Sequence, residues 1–205
     1  ICRELIGSEL IRREPGGEPT AGIVVEAESY VGVADPAAHV SGGVTDRNKP
    51  FFGGPGNVYV FKIYQHSNLN FICTYEDHPE CVLVRALEPT KGVERMRRRR
   101  SFEDKTKLCS GPGMLTDALD IDKDRHNNTA LRDSVVELRD TDREPEVAVT
   151  ERVGVSGAED WPLRFVAAGN PHVSESKPHR NPEYIDVEEA YRRLEASNPP
   201  RQPNR

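Results

Sequence analysis

The run Gly22-Ile23-Val24-Val25 passes without a break into Glu26-Ala27-Glu28-Ser29-Tyr30, and this junction constrains the fold more than any other stretch. An apolar, β-branched run reads as a strand inside a sheet core. Residues two apart on a strand share a face, so Glu26 and Glu28 point the same way. Tyr30, a turn at Gly32 and the segment Ala37-Ala38-His39 follow. A buried strand that delivers carboxylates, a ring and an imidazole into one loop makes a candidate site. The plainer reading is two strand-end acids facing water beside a packed tyrosine. This stretch alone favours neither.

The strand has partners along the chain. Residues 3–13 read as a short helix running into a strand, and Pro15-Gly16-Gly17 turns that strand into the next as a hairpin. Further strands are expected at Val58–Tyr64, Asn68–Thr74, Cys81–Leu87, Val135–Arg139, Val147–Val155 and Leu163–Ala167. Helices are expected at Lys91–Arg100, Met114–Leu119 and Val187–Ala196, with irregular acidic sequence over 120–134. Residues 40–57 form a long loop carrying Arg47, Phe51 and Phe52. Such a loop in a compact domain is usually functional or disordered, and its rings and cation favour function. From Ser174 the chain is polar and Pro-rich, and a flexible tail is expected over 176–205.

Composition narrows the classes. With 205 residues the chain makes one large domain, or a smaller one with appendages. No apolar run approaches the about 20 residues of a membrane span. The first residues, Ile1-Cys2-Arg3-Glu4-Leu5-Ile6, mix charge into apolar sequence unlike a secretory signal, and the missing Met suggests a trimmed start. Cys2, Cys73, Cys81 and Cys109 form no CxxC pair, so no zinc site is expected and a reducing cytoplasmic compartment is. Net charge is −6, yet Lys91–Lys107 carries eight basic residues against three acids, and Asp117–Glu146 ten acids against five bases. The arginine run is either a solvated helix face or a surface for phosphates.

Glu28, Tyr30, His39, Phe61 and Tyr64 make the most informative constellation. Rings from two segments and an imidazole can sandwich a flat ligand such as a nucleobase, with a carboxylate at its edge. Stacking of a base on an aromatic ring is worth roughly 1–3 kcal/mol. Tyr59 reads as sheet packing, and a lone His39 would more often be structural. A metal site from His39, Glu26 and Glu28 lacks a fourth partner and is a poor zinc pattern.

Six blocks carry a family resemblance: Glu26-Ala27-Glu28-Ser29-Tyr30 with Ala37-Ala38-His39, Thr45-Asp46-Arg47-Asn48, Pro55-Gly56 with Tyr59-Val60-Phe61 and Tyr64, Leu83-Val84-Arg85-Ala86-Leu87-Glu88-Pro89, Leu108-Cys109-Ser110-Gly111-Pro112, and Arg152-Val153-Gly154-Val155. Together, and in order from about residue 3 to Ser174, they resemble the alkyladenine (3-methyladenine) DNA glycosylase family. The resemblance implies a single mixed α/β (α+β) domain over residues 1–175, built around a curved antiparallel sheet with peripheral helices. It implies removal of damaged purines from duplex DNA in base excision repair, without a cofactor or metal. A monomer whose partner is damaged double-stranded DNA is expected, in the cytoplasm or on the nucleoid.

By position, Glu28 matches the family's water-activating carboxylate, Arg85 the arginine that helps hold that water, and the main chain at Val153 a third contact. Tyr30, His39, Phe61 and Asn70 match the base pocket, with Asn68 a second choice for the asparagine. Tyr64 matches the tyrosine that intercalates where the base leaves. Thr45, Arg47 and Ser110 match DNA-backbone contacts, and the basic run at 91–107 is expected to join them. Two departures stand out. Phe61 replaces a usual tyrosine, and Gln65-His66-Ser67 stands where the family reads Gly-Met-aromatic, one residue short before Asn70. That shortened loop favours the alternative, a non-catalytic module that binds damaged DNA or nucleotides. Intact Glu28 and Arg85 favour the enzyme. A hydrolase of free nucleosides would need neither the arginine run nor the wedge.

Overall fold

Strand Thr20–Tyr30 (β2) is the hub that the sequence predicts. In the computed structural model, which describes residues 1–74, 79–174 and 185–197, a one-turn helix Cys2–Leu5 (α1) leads into Glu9–Arg12 (β1). β1 pairs antiparallel with the first half of β2, Leu10 opposite Gly22. Then follow Asn57–Ile63 (β3), His66–Ile72 (β4) and Cys81–Lys91 (β5). Helices Val93–Arg100 (α2), Pro112–Leu119 (α3) and Lys123–His126 (α4) precede the short strands Thr129–Ala130 (β6), Val136–Arg139 (β7), Val147–Thr150 (β8) and Arg164–Ala167 (β9). Helix Val187–Ser197 (α5) comes last.

The sheet runs β6-β3-β4-β5-β2-β1-β7, with β9 on β2 and β8 on β9, all antiparallel and not closed. The fold is the expected mixed α/β domain. Along one edge of β2 the partner changes: β1 covers Thr20–Ile23 and β9 covers Glu26–Glu28. The far edge pairs with β5 throughout. There Val24 faces Leu87, Glu26 faces Ala86 and Ala27 faces Val84, which leaves Val25 and Arg85 as extra residues. Each is a bulge, and the two cancel, so the register beyond them is restored. Bulges re-aim side chains beside functional sites.

Period-two alternation separates two cores. Val58 and Val60 of β3, Leu69 and Phe71 of β4, and Val82 and Val84 of β5 face the main core, where Met96 of α2 and Leu115 and Leu119 of α3 close over them. Tyr59, Phe61, Ile72 and Cys81 face the other way and pack with Ala38, Val40 and Phe51 of the long loop. That second cluster builds the site.

Differences from the sequence expectations are local. The strand expected to Val155 stops at Thr150, because Arg152 turns inward to an ion pair with Asp35 and Gly154 adopts φ +73°. The irregular 120–134 contains α4 and β6. The long loop is pinned by buried Asn48, whose side chain donates to the carbonyls of His39 (2.9 Å) and Gly43 (2.7 Å) and accepts from the Thr45 N–H (2.7 Å). The sequence places the end of the domain at 175. Residues 175–184 and 198–205 lie outside the described residues, whereas Ile185 exchanges two backbone hydrogen bonds with Val149 and Ala190 is buried in the main core.

Candidate active site

The end of β2 and the bulge of β5 bring two carboxylates to one guanidinium. Arg85 Nε donates to Glu26 Oε1 at 2.8 Å, and its Nη1 lies 3.3 Å from Glu28 Oε2. Both glutamates are fully buried. Their environments differ. Glu26 is saturated: Oε1 also accepts from Arg164 Nε (2.7 Å) and the Ser174 hydroxyl (2.8 Å), and Oε2 from the Ser174 N–H (2.7 Å). Burial would raise its pKa, but Arg85, Arg164 and Ser174 outweigh burial and hold it below the usual carboxylate range. Burial also opposes the charge on Arg85, and Glu28 and Glu26 override it. Glu26 is a support.

Glu28 keeps simpler company. Its Oε1 accepts the Val153 N–H at 2.7 Å, and its Oε2 accepts the Tyr30 hydroxyl at 3.0 Å. The Val153 carbonyl in turn lies 3.5 Å from Arg85 Nη1. Carboxylate, guanidinium and main chain thus meet as one cluster. Such a cluster can hold a water between an acceptor and donors. Burial and the neighbouring Glu28 charge push the Tyr30 phenol far up, so it stays protonated and donates.

Next to the cluster opens a cavity of about 310 Å³, lined by Tyr30, His39, Phe61 and Asn70 together with Phe51 and Tyr59. Val153 itself does not line it, but Gly154–Ser156 do. Phe61 meets the His39 ring edge-on at 4.4 Å between centroids, and Phe51 meets Tyr59 at 4.6 Å. The wall is rich in rings, with His39 and Asn70 among its polar members. Asn70 donates to the carbonyls of Tyr59 and Asn68, each at 3.2 Å, and its Oδ1 lies 3.8 Å from the Cys81 thiol. Asn68 does not reach the cavity.

Tyr59 is buried as sheet packing requires, yet it has a second task missed in the sequence. Its hydroxyl lies 3.0 Å from His39 Nδ1 and fixes the imidazole. Burial, then the nearby Arg47 charge, lowers the His39 pKa, so the ring is neutral at pH 7. Burial pushes Tyr59 up to about 12. Arg47 therefore sits near the pocket's His39 and Tyr59 while remaining exposed. Phe51, Asn48 and Arg152 are further contributors without an assigned role in the sequence reading. Asn48 sat inside a recognised block, and its burial was the missing signal.

The remaining predicted contacts divide. Tyr64 stands at the tip of the β3–β4 hairpin, 97 % exposed. Thr45 is exposed at the start of the Asn48-bound turn. Ser110 is buried, and its hydroxyl donates to the Val173 carbonyl at 3.3 Å. The arginine run is largely engaged by this chain's own acids. Arg99 forks onto Glu14 at 2.9 Å, Lys91 reaches Glu9, Arg97 pairs with Glu94, and Arg100 lies 3.7 Å from Asp117. The metal set weighed above does not assemble, because Arg85 bridges the carboxylates and Tyr59 holds His39.

An aromatic slot for a flat ring, backed by a buried carboxylate with an arginine and a main-chain amide, suits hydrolysis of an N-glycosyl bond. The chain belongs to the methylpurine-DNA glycosylase family, whose family model matches residues 1–171. It is by that membership a hydrolase of N-glycosyl bonds. A protein of Methanoculleus marisnigri is 43% identical over 85% of this chain and 92% of its own. One of Koribacter versatilis is 43% identical over 85% and 86%, and one of Chlorobaculum parvum 34% identical over 86% and 86%. Each is named "Putative 3-methyladenine DNA glycosylase". Among the described residues no helix is long and apolar enough to cross a membrane.

Proposed function

We propose that this chain excises damaged purines, alkylated ones first, from duplex DNA by hydrolysis, acting as a monomer in base excision repair. The observation that carries the reading is the Glu28 cluster, with Arg85 and the Val153 amide on one carboxylate, beside the slot of Tyr30, His39 and Phe61. An enzyme acting on a base inside a duplex must extrude it, and an inserted side chain fills the gap. Tyr64 is the inserted residue in this reading, and Thr45 and Arg47 hold the backbone.

The chemistry asks little of the leaving group. A purine alkylated at ring nitrogen N3 or N7 is cationic, and the bond from the sugar carbon to its nitrogen breaks with the electron pair going to the base, which leaves neutral. Ring faces favour the cationic base by ~0.5–2 kcal/mol. Glu28 stabilises the positive charge that develops on the sugar. It accepts the proton of the attacking water as the new carbon–oxygen bond forms. Its Tyr30 and Val153 contacts hold it in place for both tasks. With no lysine at a motif position to form a Schiff base, the expected product is an abasic site in an uncut strand.

Single-turnover base release from methylated duplex tests the reading. Glu28→Gln keeps the shape and removes the base, so release should fall by about 10²–10⁴-fold while damaged-duplex binding persists. Binding without release by the wild-type chain as well would make the protein a damage-binding module instead.

A further inference from the structure

Behind the pocket lies a second buried ion pair that takes no part in the chemistry above. The side chains of Asp35 and Arg152 are fully enclosed, and Arg152 grips both carboxylate oxygens, at 2.5 and 2.8 Å. Three parts of the site hang from this pair. Arg152 donates to the Ser29 carbonyl at 3.1 Å, and its guanidinium carbon stands 4.8 Å from the centre of the Tyr30 ring. The next residue is Val153, whose N–H meets Glu28. Asp35 accepts the N–H groups of Val31 (3.2 Å) and Ala37 (3.0 Å), and its carbonyl accepts that of Ala38, which shapes the segment leading to His39.

A buried ion pair is a weak source of net stability, because desolvation offsets the attraction, and registry is its best-attested use. Here the registry is specific. Tyr30 is held from two sides, by Glu28 at its hydroxyl and Arg152 at its ring. Arg152 does not line the cavity, whereas Tyr30 does. We propose that Asp35 and Arg152 are positioning residues, which act through Tyr30 and Val153 to set the Glu28 carboxylate against the seated base. The proposal rests on the glycosylase reading. It also explains why an arginine stands there: a planar fork can bind two oxygens and stack on a ring at once, and a lysine cannot.

The test uses Arg152→Lys, which keeps a cation opposite Asp35 but loses the fork and the stack. Asp35→Asn, isosteric and uncharged, is the second variant. Whichever variant melts cooperatively is compared with wild type for equilibrium binding of methylated duplex and for single-turnover release. The expected result is binding within about threefold and release slowed at least about tenfold, since small misplacements of reacting groups are costly. A Tyr30→Phe background then separates positioning from general loosening. If Arg152 works in part through Tyr30, the double variant is faster than the product of the two single losses predicts; fully multiplicative losses overturn the proposal. So does release within about twofold of wild type, or failure of both variants to fold, which makes the pair structural. If the wild type itself releases no base, the glycosylase reading fails, an outcome distinct from every variant result.

Discussion

At the scale of single residues, the site sets the proposed working carboxylate, Glu28, beside a supporting one, Glu26. Glu26 accepts four hydrogen bonds and neutralises Arg85 and Arg164. Removing its charge strands buried guanidinium groups, so Glu26→Gln should destabilise the fold by about 3–5 kcal/mol, measured by urea or thermal unfolding. The pH sense follows from its lowered folded pKa. Its stabilisation is complete above the unfolded carboxyl value near 4.5 and is lost as the pH falls through the folded value. Wild-type stability should therefore drop in acid below that point, and the Glu26→Gln variant should show a shallower acid slope. An equal slope in both would place the titration elsewhere. Sequence reasoning reached Glu28, Tyr30, His39 and Phe61 because motif order and strand alternation are local. It missed the tasks of Tyr59, Arg152 and Arg164, whose partners lie 20, 117 and 138 positions away.

At the scale of elements, the β3–β4 hairpin trades stability for reach. Ile63 pairs with His66, so Tyr64 and Gln65 alone make the turn. The sequence showed this loop to be one residue short of the family pattern, but not that Tyr64 adopts φ +53°. A side chain in the left-handed region costs about 1–2 kcal/mol. In return, the ring projects from the tip. The hairpin is held from behind by α3, where the Thr116 hydroxyl donates to the Ser67 carbonyl at 2.7 Å and His66 meets Asp117 at 2.9 Å. Tyr64→Gly removes the backbone strain and the proposed wedge together. Its melting temperature should match or exceed wild type, since strain relief offsets the roughly 0.5–1 kcal/mol entropic cost of glycine. Base release should nonetheless slow, because nothing fills the stack. Unchanged release would show that the wedge lies elsewhere. The paired bulges at Val25 and Arg85 were equally illegible, since a bulge exists only relative to a partner strand.

At the scale of the whole molecule, charge is folded inward. The sequence suggests a basic block facing DNA and an acidic block elsewhere, but the two meet. They touch where Arg100 approaches Asp117 and Arg99 donates to the Ala118 carbonyl at 3.2 Å, and the first hairpin adds pairs to each: Arg12 bonds Asp120 at 3.1 Å, and Glu14 gathers Arg99 with Arg12. α2 packs through Met96 on the main core, the face opposite the aromatic pocket. A cation already paired with its own chain releases few counterions on binding, whereas an exposed one releases nearly one, at a slope of about −0.9 per phosphate neutralised. The plot of log affinity against log salt for a methylated duplex should therefore report the pocket-side loop and not the arginine run. Arg47→Ala should lower the magnitude of that slope by about one unit. Arg99→Ala should leave it nearly unchanged while lowering the melting temperature, because Glu14 loses its fork. If Arg99→Ala instead flattens the slope as much as Arg47→Ala, the duplex lies across α2, and the internal pairs must open when DNA binds.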